Sequence, residues 1–258
     1  MIKRAHLLLS VLTFTLLGAA NAAASNFEDG NFDVKVSSDA GEFLAAESGF
    51  SPPLARWSDG PGVFHGQTVY VGRGCTDDPY LADPAGKVAL IDRGACFFGT
   101  KVARAEAAGA IGVIVINVPG GSAPLGDFRV WMRPLVANPP GVGIPAVFVG
   151  HSDGSALVAA SGISVTLLYK PFTLLKDAVE TAPTLLSDEE KDSLKKLLSD
   201  AASLTKRNKA NLPQASALIV QFRDEMSERF FEGKISFDLA QTLFDSGFSL
   251  QYRLDTAP

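Results

Sequence analysis

The pentapeptide Gly150-His151-Ser152-Asp153-Gly154 follows an apolar run and matches G-x-S-x-G, the setting in which an α/β-hydrolase displays a nucleophilic serine. A serine hydroxyl becomes a nucleophile only beside a base, and in that fold the catalytic histidine comes later in the chain. No histidine follows His151. His65 lies upstream and would need a different triad order, and the succession of βα units that should precede the serine is missing. Ser152 therefore reads first as a turn or helix-capping residue, and a serine hydrolase or esterase is the alternative reading.

Metal chemistry has little to work with. The chain holds three histidines, His6, His65 and His151, and two cysteines, Cys75 and Cys96. A zinc site needs three or four suitably spaced ligands, and an H-E-x-x-H motif is absent. Asp77, Asp78 and Asp83 could approach a calcium ion, but without EF-hand spacing they read as a solvated turn. The expectation is no metal, no cofactor and no catalytic residue.

Other candidates are softer. Lys206, Arg207 and Lys209 form a small basic cluster that helix-end solvation explains, and Phe222, Phe230, Phe231, Phe237, Phe244 and Phe248 read as a helical core before a docking surface. With 23 Lys+Arg against 28 Asp+Glu and a net charge of -5, there is no global attraction for nucleic acid.

Compartment follows from the first residues. Lys3 and Arg4, an apolar stretch from Leu7 to Leu17 and an Ala20-Asn21-Ala22 site give residues 1–24 the form of a cleavable signal peptide. The expected product is secreted or periplasmic, with no membrane attachment after cleavage. In an oxidising compartment Cys75 and Cys96 are expected to be joined, two separately buried thiols being the alternative; C-x-x-C spacing is absent.

The elements that must position these residues fall into two regions. Val102–Tyr169 carries 6 charged residues in 68, whereas Ser187–Lys234 carries 18 in 48, which places a boundary at 171–186, read as a linker. Upstream, short apolar runs predict strands at Phe32–Val36, Gln67–Val71, Lys87–Asp92, Gly112–Asn117, Ala146–Gly150 and Ser164–Tyr169, with helices at Thr100–Ala108 and about Asp153–Ala160. Val118–Gly143, rich in proline, reads as a long loop. Downstream, residues 187–258 read as a small helical domain. Ser187-Asp188-Glu189-Glu190 forms a capping box, a second helix begins near Asn211-Leu212-Pro213, and a third runs from Ser236 to Asp245, before Gly247.

One ordered set of motifs joins these pieces: Gly74-Cys75; Gly86-Lys87-Val88-Ala89-Leu90-Ile91-Asp92-Arg93-Gly94-Ala95-Cys96-Phe97-Phe98; Lys101-Val102; Ala107-Ala108-Gly109-Ala110-Ile111-Gly112 with the apolar run to Asn117; and Ile144-Pro145-Ala146-Val147-Phe148-Val149 with Asp153-Gly154. In order and spacing this set resembles the protease-associated (PA) domain family, over about 43–169 and within a domain of 27–170; the helical region carries no such resemblance. The resemblance implies a mixed α/β (α+β) fold, a β-sandwich or open barrel with flanking helices, here followed by a small all-α domain. It also implies a bridge between Cys75 and Cys96, and a turn motif at Asp92, Arg93 and Gly94. For activity it implies a non-catalytic module that contacts proteins, often beside a peptidase. The expected role is thus binding a protein or peptide partner, possible association with a separate peptidase included, with Trp131, Met132 and Arg133 in the long loop as the candidate binding residues.

Overall fold

The computed structural model describes residues 33–50, 63–119, 127, 129–132, 142–207 and 209–256. The signal peptide expected at 1–24 and Arg133 lie outside them. No described helix is long and apolar enough to cross a membrane.

Seven strands build the first region: β1 (Val34–Ser38), β2 (Gly41–Glu47), β3 (Val63–Gly72), β4 (Val88–Asp92), β5 (Gly112–Ile116), β6 (Ala146–Val149) and β7 (Ser164–Tyr169). They form a closed barrel in the order β1-β2-β6-β5-β4-β3-β7. Strands β3 to β6 run parallel to one another, and β2, β1 and β7 close the circle with antiparallel pairings. The expected fold class, mixed α/β with flanking helices, is correct, but the barrel is closed rather than open. The reason is β7, which pairs with β1 along Val34–Ser38 and with β3 along Val63–Gln67.

The parallel strands are apolar on both faces because both faces are covered. Ala89, Ile91, Val113, Val115, Ala146 and Phe148 pack with Val102 and Ala105 of helix α1 (Phe98–Ala107). The alternate residues Val88, Leu90, Ile114, Ile116, Val147 and Val149 meet Val34, Val36, Val165, Leu167 and Leu157 of helix α2 (His151–Ala159). Strand β2 had no sequence expectation: its Gly-Glu-Phe-Leu-Ala-Ala-Glu mixes polar and small residues, and its identity comes from pairing with β1.

Residues 171–186 are not a linker. Pro171–Thr181 is helix α3, opened by proline at its first position, where a missing N–H costs nothing. Phe172, Leu175, Ala178 and Val179 are fully buried among Leu194, Leu198, Ile219 and Phe222. Helices α4 (Asp188–Arg207), α5 (Leu212–Phe231) and α6 (Phe237–Asp255) complete the bundle. The capping box at the start of α4 forms as expected: Glu190 N donates to Ser187 Oγ (3.3 Å) and Ser187 N to Glu190 Oε2 (2.9 Å). Helix α6 runs ten residues past its expected end, through Gly247. That glycine serves close approach, since a Cβ there would lie 2.8 Å from Arg223 Cγ of α5.

The bundle is fastened to the barrel by a buried polar cluster. Asp33 Oδ1 accepts from Glu47 N (2.6 Å), and Oδ2 accepts from Ser249 Oγ of α6 (3.2 Å). Arg253 of α6 lies 3.1 Å from Glu47 Oε2 and donates to the Ser48 carbonyl. Asp33, Glu47, Ser48, Ser249 and Arg253 are all buried.

Candidate functional site

Strands β4, β5 and β6 are parallel and in register, so their carboxyl ends deliver Asp92, Asn117 and Gly150 to one rim of the barrel. The rim is where an α/β sheet offers backbone and side chains to a ligand. Backbone bonds continue the ladder one step past the strands, from Arg93 N to Ile116 O (2.8 Å) and from Asn117 N to Val149 O (3.1 Å). Between this rim and α2 lies a cleft of about 400 Å³. Tyr70, Asp92, Asn117, Val118, Pro119 and His151 line it, with Ile116, Ser155, Val158 and Ala159.

The polar groups of the cleft are oriented by their neighbours. Tyr70 donates its phenolic hydrogen to Asp92 Oδ2 at 2.6 Å. Burial first, and then this bond to Asp92, push the Tyr70 hydroxyl up to about 12, so it stays protonated and remains a donor. Arg93 turns its guanidinium to Asn117 Oδ1 (3.1 Å), which also accepts from Val118 N (2.9 Å). Burial lowers the Arg93 pKa. His151 Nδ1 sits 3.2 Å from the Asn117 carbonyl, which only accepts, so Nδ1 carries a hydrogen and donates it there.

The Asp92-Arg93-Gly94 turn, read from sequence, therefore contributes to this rim through Asp92 and Arg93, while Gly94 (φ 103°) supplies the backbone conformation. Tyr70 and His151 had no assigned role beside Asp92. A signal for them existed in the strand pattern: Tyr70 is partly exposed between buried Val69 and Val71, and His151 begins the helix after β6.

Past Gly94 the chain enters the disulfide. Cys75 and Cys96 are bonded, with Cα atoms 5.8 Å apart. Lys101, fully buried, donates to the Arg73 carbonyl and lies 3.4 Å from Cys75 Sγ. Burial pulls its ammonium down to about 8, against the attraction of Asp78 and Asp92. Arg104, one turn further along α1, donates to the Cys75 carbonyl and stacks 4.2 Å from the Tyr80 ring. Both cations thus hold the Arg73–Cys75 backbone. In the same loop Asp78 pairs with Arg73 (2.9 Å), and Asp83 accepts from Ala85 N (3.0 Å).

The G-x-S-x-G segment has a packing explanation. Ser152 is the second residue of α2; its N and Oγ both donate to the Asp127 carboxylate, at 2.6 and 2.9 Å. Ser152 also lacks the positive φ that a strained strand-to-helix turn would give it. A Cβ on Gly150 would lie 2.7 Å from the Asp127 carbonyl oxygen, and one on Gly154 would lie 2.2 Å from Ile116 Cγ2. Both glycines permit close approach of α2 to the chain beneath it. His151, the neighbouring imidazole, is turned to Asn117, and His65 Nδ1 is 2.9 Å from Thr166 Oγ1.

The expected binding residues Trp131 and Met132 do not present themselves to a partner. Met132 is fully buried against the α1 side of the barrel, and Trp131 is 7% exposed. The Trp131 ring meets Phe248 and Tyr252 of α6 edge to face, at centroid distances of 5.7 and 5.2 Å. A large aromatic in a long loop is an anchor, and here its partner is the chain's own bundle. Of the phenylalanines, Phe222 is core, whereas Phe231 and Phe237 are 84% and 62% exposed.

The fold so defined is a mixed α/β barrel with a strand-end cleft and a helical bundle at its side. Residues 63–157 match the family model described as "PA domain", and this part of the chain is a PA domain. Among curated proteins, the chain is similar to "Leucine aminopeptidase 2" of Trichophyton rubrum, 33% identical over 131 residues, covering 49% of this chain and 23% of that protein. It is also similar to "Aminopeptidase" of Pseudomonas aeruginosa (strain UCBPP-PA14), 36% identical over 83 residues, covering 32% of this chain and 15% of that protein. A third relative is "Minor extracellular protease Vpr" of Bacillus subtilis (strain 168), 34% identical over 94 residues, covering 36% and 10%. The match spans less than a quarter of the length of each of these relatives. Among solved structures, a zinc aminopeptidase from Bacillus subtilis is 28% identical with a TM-score of 0.41, covering 54% of this chain and 30% of that one.

Proposed function

We propose that this protein is an exported, non-catalytic PA-domain module that binds a peptide or protein segment in the cleft between the β4–β6 carboxyl ends and α2, and that it serves a peptidase carried on a separate chain. The observation that carries this reading is the cleft itself: apolar walls from Ile116, Val118, Pro119 and Val158 surround polar groups held in fixed orientations by Tyr70, Asp92, Asn117 and His151. Such a mixture suits a peptide, whose backbone needs donors and acceptors while its side chains seek apolar contact. The G-x-S-x-G serine supports the same reading, because its hydroxyl donates to Asp127 and its neighbouring imidazole is engaged with Asn117. The test is photo-crosslinking from a probe at Ser155 in native extract, together with labelling by a serine-reactive phosphonate. A crosslinked polypeptide partner with Ser152 unlabelled is expected; stoichiometric labelling of Ser152 with loss of turnover overturns the reading.

A further inference from the structure

The lining of the cleft carries acidic but no strongly basic side chains. Of the residues lining it, Asp92 is the only carboxylate, and neither a lysine nor an arginine is among them. Arg93 is directed to Asn117 Oδ1 and toward the Phe148 ring, 5.9 Å from its centroid. Lys101 attracts Asp92 from outside the lining, and its ammonium makes its hydrogen bonds to the Arg73 carbonyl and Cys75 Sγ rather than to the carboxylate. Tyr70 donates to Oδ2 of Asp92, and among the described residues Oδ1 accepts no hydrogen bond. The carboxylate is thus held in one orientation by a tyrosine that cannot ionise near neutral pH, with half of its accepting capacity open beside an apolar-walled cleft.

We infer that the cleft selects a peptide bearing a positive charge, with an ammonium or guanidinium donating to Asp92 Oδ1 while the flanking small or apolar residues lie against Val118, Pro119 and Val158. This rests on the binding reading above and names the chemistry it selects. An anionic group would meet the Asp92 carboxylate with no lining lysine or arginine to offset it, and an uncharged ligand would leave that oxygen desolvated without a donor. A lysine or arginine side chain and a free α-amino group share the required chemistry, because each offers N–H donors with a positive charge.

The experiment is titration of the full chain, labelled with ¹⁵N, with four pentapeptides followed by amide NMR shifts and by calorimetry. The peptides are Ac-Ala-Ala-Lys-Ala-Ala-NH2, its norleucine counterpart, the norleucine peptide with a free amino terminus, and the glutamate counterpart. The expected result is that the lysine peptide shifts the Asp92, Asn117 and Val118 amides and binds at least about tenfold tighter than the acetylated norleucine peptide. Asp92→Asn, which keeps the shape and can still accept from Tyr70, is expected to erase that advantage. If the free-amine peptide shows the gain and the lysine peptide does not, the cation is the chain terminus, and the assignment to Asp92 stands on the same variant. Equal affinity for the lysine and acetylated norleucine peptides with the cleft amides shifted, or an advantage that survives Asp92→Asn, overturns the charge selection and leaves the binding site in place. Failure of all four peptides to shift the cleft amides overturns both.

Discussion

The Arg253 guanidinium lies 3.1 Å from the Glu47 carboxylate, joining the last helix to the second strand across 206 residues of chain, with both side chains almost completely buried. Burial works against the Arg253 charge, but Glu47, Tyr169 and Asp33 outweigh it and hold its pKa above the ordinary value. Removing one partner leaves the other as an uncompensated buried charge. Arg253→Met is expected to cost about 3–5 kcal/mol in urea unfolding, and the double variant with Glu47→Gln to cost less than the sum of the two single changes. Additive losses would show that the two groups do not act as a pair.

The neighbouring Asp33 makes the same junction sensitive to pH. Burial pushes its carboxyl up to about 6, although Glu47 N–H, the Arg253 charge and Ser249 pull it down. The folded state therefore holds a proton that the unfolded chain releases above its ordinary pKa of 3.8. Between these values the folded state binds more protons, so this group's contribution to stability falls as pH rises from about 4 to about 6. Asp33→Asn keeps an acceptor for Glu47 N and removes the titration. Wild-type stability relative to this variant is expected to grow by roughly 1–3 kcal/mol as pH is lowered from about 6 to about 4. A constant difference across that range would refute the assignment.

Gly154 sets how closely α2 can sit on β5. A methyl group there would overlap Ile116 Cγ2 at 2.2 Å, and Ile116 is held by the barrel core. Gly154→Ala is expected to lose about 1–3 kcal/mol despite the better helix propensity of alanine. Ser152→Ala is expected to lose about 1 kcal/mol through its lost hydrogen bond to the Asp127 carboxylate, with no change in any activity of the protein. Loss of a turnover on Ser152→Ala would contradict the packing role.

The bridge between Cys75 and Cys96 closes a loop of sequence separation 21. Replacing both cysteines by serine is expected to cost about 3 kcal/mol through the freed unfolded chain. Lys101 opposes this stabilisation below its folded pKa. Its ammonium is pulled down to about 8, so the folded state binds fewer protons than the unfolded chain between about 8 and 10.5, and stability gains as pH rises through that window. Lys101→Met should flatten the gain, as read by thermal unfolding at pH 8 and pH 10.

The PA segment was legible because each of its features is local. The apolar runs at Val88–Ile91 and Gly112–Ile116, and the glycines that end helices, carry their meaning within a few residues. The capping box at Ser187 and Glu190 was legible for the same reason. Features made by distant pairing were not. Gly41–Glu47 is a strand because β1 lies beside it, and Trp131 is buried because α6 arrives from more than 100 residues away. Residues 171–186 read as a linker because the charge density changes across them, and their apolar side chains become a buried helix face only once the bundle packs on them. At the cleft, Asp92 and Arg93 were legible as a turn motif, while Tyr70 and His151 gained a role once parallel register brought their strand and helix to the same rim.

Strand β7 has one more consequence. Open sheets end in rows of bare N–H and C=O groups that can recruit a strand from another molecule. By pairing with β1 on one side and β3 on the other, Ser164–Tyr169 removes the two outermost edges of the sheet at once. Truncating the chain before Ser164 would expose both, and would make the barrel a template for aggregation.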